Sequence, residues 1–306
     1  MFANRIRTLT VNYGPHASQT AEVHVPRGPG PHPVVALLHG GLWRASQDRA
    51  SMRPIARHLV SNGFAVLNLE YRRVGEQGAG WPGTFLDAVD GTALAANPLR
   101  LDRTTRTAHL FDADRVAIVG HCSGGHLALW AAAWLCGLWL GPEWIGPVRG
   151  PDGAADETWH PHETPGTRPE RLGVRAVVAL APVTDLRAAE RDGLDLPPEL
   201  VPPQDPRPAA AALLGGSSLA VAGRYRLGSP LELLPVGREV AQLLVHGDAD
   251  EIVPVEHSVR YARSAERSGD CVRIRRVPGM GHFDMLDPAH EAWQLAFRHL
   301  RRHLGD

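Results

Sequence analysis

The sequence predicts an α/β domain in which helices cover both faces of a doubly wound, mostly parallel β-sheet. Apolar runs without polar alternation recur along the chain, as expected for strands buried on both faces. Amphipathic helical patterns lie between these runs, and buried strands that alternate with helices form βαβ units. Two short alternating stretches ahead of them predict an antiparallel hairpin at the N-terminus.

Each predicted element follows from one of these patterns. The hairpin strands are expected at 6–11 and 21–25, joined through Tyr13, Gly14 and Pro15. Buried strands are expected at 34–38, 64–69, 115–119, 174–180, 242–245 and 272–277. Helices are expected at 49–61, 84–96, 125–139, 208–214, 255–268 and 288–304.

The whole chain, 1–306, is expected to form a single α/β domain, because no internal repeat or Ser/Gly linker divides it. Residues 141–169 depart from the alternation, since they are rich in Gly, Pro, Trp and His. This stretch is interpreted as an insertion, either a lid over a site or filler without a function of its own.

Composition limits the function classes. A formal net charge of -1 argues against a nucleic acid or an anionic membrane as partner. The chain contains no lysine, which excludes Schiff-base and pyridoxal-phosphate chemistry. We expect no cofactor. Three cysteines are too few for a disulfide framework, and neither a signal peptide nor a membrane span is predicted, so a cytoplasmic location is expected.

A strand, a glycine-rich turn and a helix follow one another at residues 115–139, the setting of a nucleophile elbow. Such an elbow needs small residues two positions before and two positions after its nucleophile. Cys122 has Gly120 and Gly124 at these offsets, whereas Ser123 would require glycine where His121 stands. Cys122 is therefore the predicted nucleophile, and Ser123 is expected to donate a backbone N–H to an oxyanion hole.

A second glycine turn, His39-Gly40-Gly41-Leu42-Trp43, follows the first buried strand. Backbone N–H groups in such a turn complete an oxyanion hole, so Gly41 or Leu42 is the predicted second donor.

The acid and the base are expected after the last two strands. Asp250 is the predicted acid, with Asp248 as the alternative, and His282 lies in a glycine-flanked loop as the predicted general base. The order Cys122, Asp250, His282 is the order in which α/β enzymes of this kind arrange nucleophile, acid and base.

Further residues are candidates for contact with the substrate. We expect Trp43, Trp81 and His121 to contact the substrate, although packing is the commoner role for a histidine placed like His121. Three arginines (Arg44, Arg72 and Arg73) could meet an acidic substrate. The stretch 159–163, Trp-His-Pro-His-Glu, matches no standard zinc-ligand spacing, so no metal site is predicted.

With these motifs in place, the chain resembles the α/β-hydrolase superfamily, in particular its kynurenine formamidase-like and carboxylesterase group. The resemblance rests on the His39 turn, on Tyr71-Arg72-Arg73 with Gly80-Trp81-Pro82, on 120–126 and on 281–284. It implies an α/β-hydrolase fold and a serine-type triad acting on a small-molecule acyl substrate. The chain departs from the group at Cys122, where the group carries serine; dienelactone hydrolases use cysteine at this position of the same fold.

Three function classes remain open at this stage. The first is an acyl hydrolase that cleaves an ester, thioester or amide through an acyl-thioester intermediate. The second is an acyltransferase or cyclase, because amines and thiols compete with water for a thioester. The third is a non-catalytic binding protein, which the complete set of Cys122, Asp250 and His282 disfavours. The sequence leaves the oligomeric state open.

Overall fold

Eight strands form one sheet in the order β1-β2-β4-β3-β5-β6-β7-β8. The structure, a computed structural model, describes residues 7–96, 108–136, 172–195 and 207–305. The strands are β1 Arg7–Asn12, β2 Thr20–Val25, β3 His32–Leu38, β4 Ala65–Leu69, β5 Phe111–His121, β6 Val174–Leu180, β7 Ala241–Gly247 and β8 Val272–Val277. The β1–β2 and β2–β4 pairs are antiparallel and the other pairs are parallel, so the predicted hairpin at one edge of a mostly parallel sheet is confirmed.

Helices cover both faces of this sheet. They are α1 Arg53–Ser61, α2 Gly83–Ala93, α3 Ser123–Cys136, α4 Leu186–Arg191, α5 Ala209–Leu214, α6 Ala222–Gly228, α7 Glu256–Arg267 and α8 Glu291–Leu304. Short 3-10 turns occur at Arg49–Met52, Leu94–Ala96, Ala108–Leu110, Pro230–Leu233 and Asp284–Leu286.

Alternate residues of the central strand β3 belong to different core layers, because successive side chains point to opposite faces of a sheet. Val34, Ala36 and Leu38 pack in the layer that contains the apolar residues of α2 and α3. Val35 and Leu37 pack in the layer that contains those of α1 and α8. Both faces of β3 are therefore buried, which explains its unbroken apolar run.

Helix boundaries differ from the predicted ones for local reasons. The pattern at 49–61 divides into a 3-10 turn and α1, because Pro54 has no N–H and fits only in the first turn of a helix. Helix α4, like α6, was not predicted from the sequence. Its start is nevertheless marked by Asp185, whose side chain accepts hydrogen bonds from the N–H groups of Arg187 and Ala188.

Some predictions lie outside the described residues. These are the insertion at 141–169 and the last positions of the predicted helix 125–139. Within the described ranges, the structure has no helix that is both long enough and apolar enough to cross a membrane.

Candidate active site

Cys122 stands between the end of β5 and the start of α3, at the carboxyl edge of the sheet. Its φ of 55° lies in the left-handed region, and its side chain is buried. The neighbouring backbone explains the glycines on either side. A Cβ on Gly120 would lie 2.0 Å from the carbonyl oxygen of Gly124, and a Cβ on Gly124 would lie 2.1 Å from that of Leu38. These contacts forbid side chains at both positions and place Cys122 at the apex of the elbow.

The turn after β3 packs directly against this elbow. Its residues Gly41, Leu42 and Trp43 all have positive φ values, of 114°, 47° and 61°. A Cβ on the preceding Gly40 would come within 3.1 Å of the Cβ of Cys122. The N–H of Trp43 donates to Ser123 Oγ over 3.4 Å. The predicted oxyanion donors Gly41, Leu42 and Ser123 therefore belong to two turns that meet beside the thiol.

A buried polar network supports the base of this turn. His39 Nε2 donates to Glu70 Oε1 over 2.7 Å, and the His39 ring stacks on Tyr71 with centroids 4.3 Å apart. The Tyr71 hydroxyl donates to the carbonyl oxygen of His39 over 2.8 Å, and Arg73 lies 3.1 Å from Glu70. Glu70 was not singled out from the sequence, although its position directly after the neighbouring strand β4 could have indicated it.

The predicted acid and base lie together after β7 and β8. Asp250 Oδ2 is 2.7 Å from His282 Nδ1, and both side chains are almost fully buried. Asp248, the alternative acid, instead accepts a hydrogen bond from the N–H of Gly279 over 2.6 Å and so caps a turn. Because His282 uses Nδ1 for Asp250, its other ring nitrogen is left for the Cys122 thiol, whose electrostatic influence reaches the ring.

Charges in this group shift its protonation equilibria. Burial opposes a charge on His282, but the Cys122 sulfur and the bond to Asp250 outweigh it and raise the pKa of His282 to about 10. Burial likewise opposes the Asp250 carboxylate, yet hydrogen bonds from His246, His282 and the Val253 N–H hold its pKa well below the usual range. The site therefore favours a protonated His282 beside the Asp250 carboxylate.

His121 belongs to the support of His282. Its side chain is 2% exposed, and its Nε2–H donates to the carbonyl oxygen of His282 over 2.9 Å. Burial and the positive charge of His282 lower the pKa of His121 to about 3, so the ring is neutral. This placement favours a role for His121 in holding the His282 loop, rather than the expected contact with the substrate.

The other two residues expected to contact the substrate differ in exposure. Trp43 is fully buried, and its ring meets the His126 ring edge-on at 5.0 Å. Trp81 is half-buried and packs edge-on against Phe85 at 4.9 Å, which leaves part of its ring accessible.

The three arginines considered for an acidic substrate are engaged in ion pairs. Arg72 binds both oxygens of Asp87, over 2.8 and 2.7 Å. Arg73 pairs with Glu76 over 3.0 Å. The buried guanidinium of Arg44 pairs with Asp195 and also donates to the Arg207 carbonyl oxygen over 3.0 Å. Their structural partners account for these charges, so the expectation of an arginine-lined mouth is not supported.

Two residues near the triad were missed from the sequence. His246, buried in β7, lies 3.3 Å from Asp250 Oδ2. Phe283 follows His282 and is 49% exposed, with its ring edge-on to the His282 ring at 5.0 Å. Within the described part of the chain, no cluster of three His, Cys, Asp or Glu side chains is arranged to hold a metal ion.

The sheet order and the strand–elbow–helix arrangement define the α/β-hydrolase fold. Solved structures share the fold. A truncated carbohydrate esterase from gut microbiota superposes with a TM-score of 0.72 at 20% identity, over 100% of this chain and 99% of that one. Esterase B from Lactobacillus rhamnosis gives a TM-score of 0.69 at 19% identity, over 97% of this chain and 85% of that one.

The chain belongs to the BD-FAE family, whose pattern matches residues 22–264. Its curated relatives include the non-reducing polyketide synthases Preu6 of Preussia isomera and atr1 of Stereocaulon alpinum. They are 24% and 26% identical over 90% and 85% of this chain. The chain spans only 13% and 11% of the length of these two proteins.

Proposed function

We propose that the protein is an acyl hydrolase that works through a covalent thioester on Cys122. The observation that carries this proposal is the arrangement of three side chains, Cys122, His282 and Asp250. The Cys122 thiol is held at the elbow apex and interacts electrostatically with His282, whose Nδ1 is 2.7 Å from the Asp250 carboxylate. This is the relation of nucleophile, base and orienting acid that covalent acyl transfer requires.

The chemistry follows from the charges. The Cys122 thiolate attacks the carbonyl carbon, and the oxygen becomes an oxyanion beside the N–H groups of Ser123 and of Gly41 or Leu42. The intermediate expels the alcohol, thiol or amine, which takes the proton from His282. His282 then removes a proton from water, the resulting hydroxide attacks the thioester carbon, and the Cys122 sulfur leaves. Asp250 holds the proton on His282 Nδ1 throughout.

Ester substrates are the first candidates because the family match and the esterase folds point to them. Formamides and other amides are a finer proposal, supported by the kynurenine formamidase-like motifs around His39 and Trp81. The exposed ring of Phe283 beside His282 and the half-buried Trp81 are apolar surfaces that would suit an aromatic substrate.

Active-site labelling tests the nucleophile. The protein is mixed with p-nitrophenyl acetate at low pH, quenched, and mapped by peptide mass spectrometry. We expect one acetyl group on Cys122, together with a burst of p-nitrophenol. The variant Cys136→Ala/Cys271→Ala removes the other two thiols and should label equally. Acetylation elsewhere, or none in this variant, would overturn the proposal.

Transfer to an acceptor other than water is the second candidate. It is favoured by the curated relatives, whose names describe synthases, and by the reactivity of a thioester toward amines and thiols. Product analysis with acyl thioesters, with and without amine, alcohol and thiol acceptors, distinguishes the two. Acceptor-dependent turnover that is slow in water supports transfer, whereas equal rates and free acid as the product support hydrolysis. Retention of full turnover and the same products by Cys122→Ser would contradict the transfer proposal.

A further inference from the structure

His246 is a buried histidine that shares the triad carboxylate with His282. It lies near the carboxyl end of β7, and its ring is fully buried. Its Nε2 is 3.3 Å from Asp250 Oδ2, the oxygen that also binds His282 Nδ1. The carboxylate therefore faces two imidazole rings through one oxygen.

The hydrogen bonds around His246 determine where its proton lies. Its Nε2 also lies 2.8 Å from the carbonyl oxygen of Val253. Both neighbours of Nε2 are acceptors, so this nitrogen carries a hydrogen. Its Nδ1 is 2.7 Å from Ser258 Oγ, which can donate to it. A neutral His246 satisfies all of these contacts.

The remaining lone pairs of Asp250 are also occupied. Its Oδ1 accepts hydrogen bonds from the N–H groups of Ile252 and Val253, over 2.9 and 2.8 Å. The two backbone donors hold one oxygen, and without His246 the other would be directed only by His282, the group that it has to orient. His246 places a second N–H on that side, which Oδ2 shares with the Val253 carbonyl oxygen.

We propose that His246 is a positioning residue for catalysis, which fixes Asp250 Oδ2 and through it the orientation of His282 toward Cys122. The inference rests on the proposed function and deepens it. The titratable groups that face His246 are Asp250 and His282 on the loops, His121 on β5 and His257 on α7.

Two variants that replace the His246 ring with an amide side chain, His246→Gln and His246→Asn, test this role. In His246→Gln, the side-chain amide reaches the place of Nε2 and can still donate to Asp250. In His246→Asn, the shorter amide reaches the place of Nδ1, so the Ser258 contact survives and the Asp250 contact does not. Two quantities are measured in each variant: steady-state ester turnover, and the pH dependence of Cys122 alkylation by iodoacetamide.

We expect His246→Asn to lower kcat about ten- to a hundredfold, the effect of losing one hydrogen bond to a charged group, with KM changed less than about twofold. Its alkylation midpoint should rise by about one pH unit, because a loosely held Asp250 stabilises the imidazolium partner of the thiolate less. His246→Gln should recover most of both losses.

His299→Asn is the control for loss of a buried histidine. His299 donates to the carbonyl oxygen of Ala241 over 3.1 Å, at the opposite end of β7, so this variant should lose stability without a change in the alkylation midpoint. If His246→Asn behaves like this control, or if His246→Gln falls as far as His246→Asn, the inference is wrong. If the wild-type Cys122 titration does not change in His282→Ala, the proposed function itself fails.

Discussion

The two halves of the site are held in place by different forces. On the nucleophile side, backbone packs against backbone, and a Cβ on Gly120 or Gly124 would overlap a carbonyl oxygen at 2.0 or 2.1 Å. On the acid–base side, the contacts are polar: Asp250 lies 2.7 Å from His282 Nδ1 and 3.3 Å from His246 Nε2. The fold on the nucleophile side should therefore be sensitive to added side-chain volume, and the acid–base side to the loss of a hydrogen-bonding group.

Cys122→Ala should have the largest effect on activity. It removes the nucleophile from an elbow that the backbone has already shaped, so ester turnover should fall by about 10⁴-fold or more. The free energy of unfolding should change by no more than about 1 kcal/mol, because only one buried sulfur atom is lost. Steady-state kinetics measure the ester turnover, and urea unfolding of the same preparation measures the free energy of unfolding. Residual turnover within tenfold of wild type would mean that another group is the nucleophile.

Asp250→Asn should come next. Its amide keeps the shape of the carboxylate but presents N–H to His282, which forces the wrong tautomer, and kcat should fall by about a hundredfold or more. Asp248→Asn is the matched control, because its amide oxygen can still accept from the N–H of Gly279. Similar kinetics for the two variants would show that Asp250 does not act as the orienting acid.

Gly120→Ala tests the backbone-packed side. The added methyl group would overlap the Gly124 carbonyl, and nothing flexible lies there to move aside, so we expect a loss of about 3 kcal/mol or more in unfolding free energy. Gly223, in α6, has no atom within 4 Å of an added Cβ. Gly223→Ala should therefore be neutral or stabilising by up to about 1 kcal/mol. Equal unfolding midpoints for these two variants would contradict the steric account.

The same contrast explains what the sequence could and could not predict. Spacing selects Cys122 over Ser123 because the elbow is a local, steric feature, and strand order brings His282 near Asp250. The supporting hydrogen bonds join residues far apart in the chain, and the hydrophobic periodicity of the sequence does not indicate such pairs. His39 meets Glu70 across 31 positions, and Arg44 meets Asp195 across 151. The three arginines considered for an acidic substrate, Arg44, Arg72 and Arg73, are thus ion-paired within the structure.

Buried histidines also determine how the stability of the fold depends on pH. Burial lowers the pKa of His121 to about 3, and those of His126, His257 and His299 to about 4. These rings stay neutral in the folded chain as the pH falls, whereas in the unfolded chain they take up protons below about pH 6.5. The unfolded state then binds more protons, so stability is lost as the pH falls from about 6.5 to 4.

The slope of this loss can be measured by urea unfolding between pH 4.5 and 7.5. Each titrating histidine should contribute up to about 1.4 kcal/mol per pH unit. Asp250 acts at lower pH. Its depressed pKa stabilises the fold above the unfolded pKa of about 4, and this stabilisation is lost only as the pH falls below that value. His299→Leu should reduce the slope by the contribution of one histidine, up to about 1.4 kcal/mol per pH unit, without a change in Cys122 reactivity. A stability that does not vary over this range would show that the buried rings do not stay neutral.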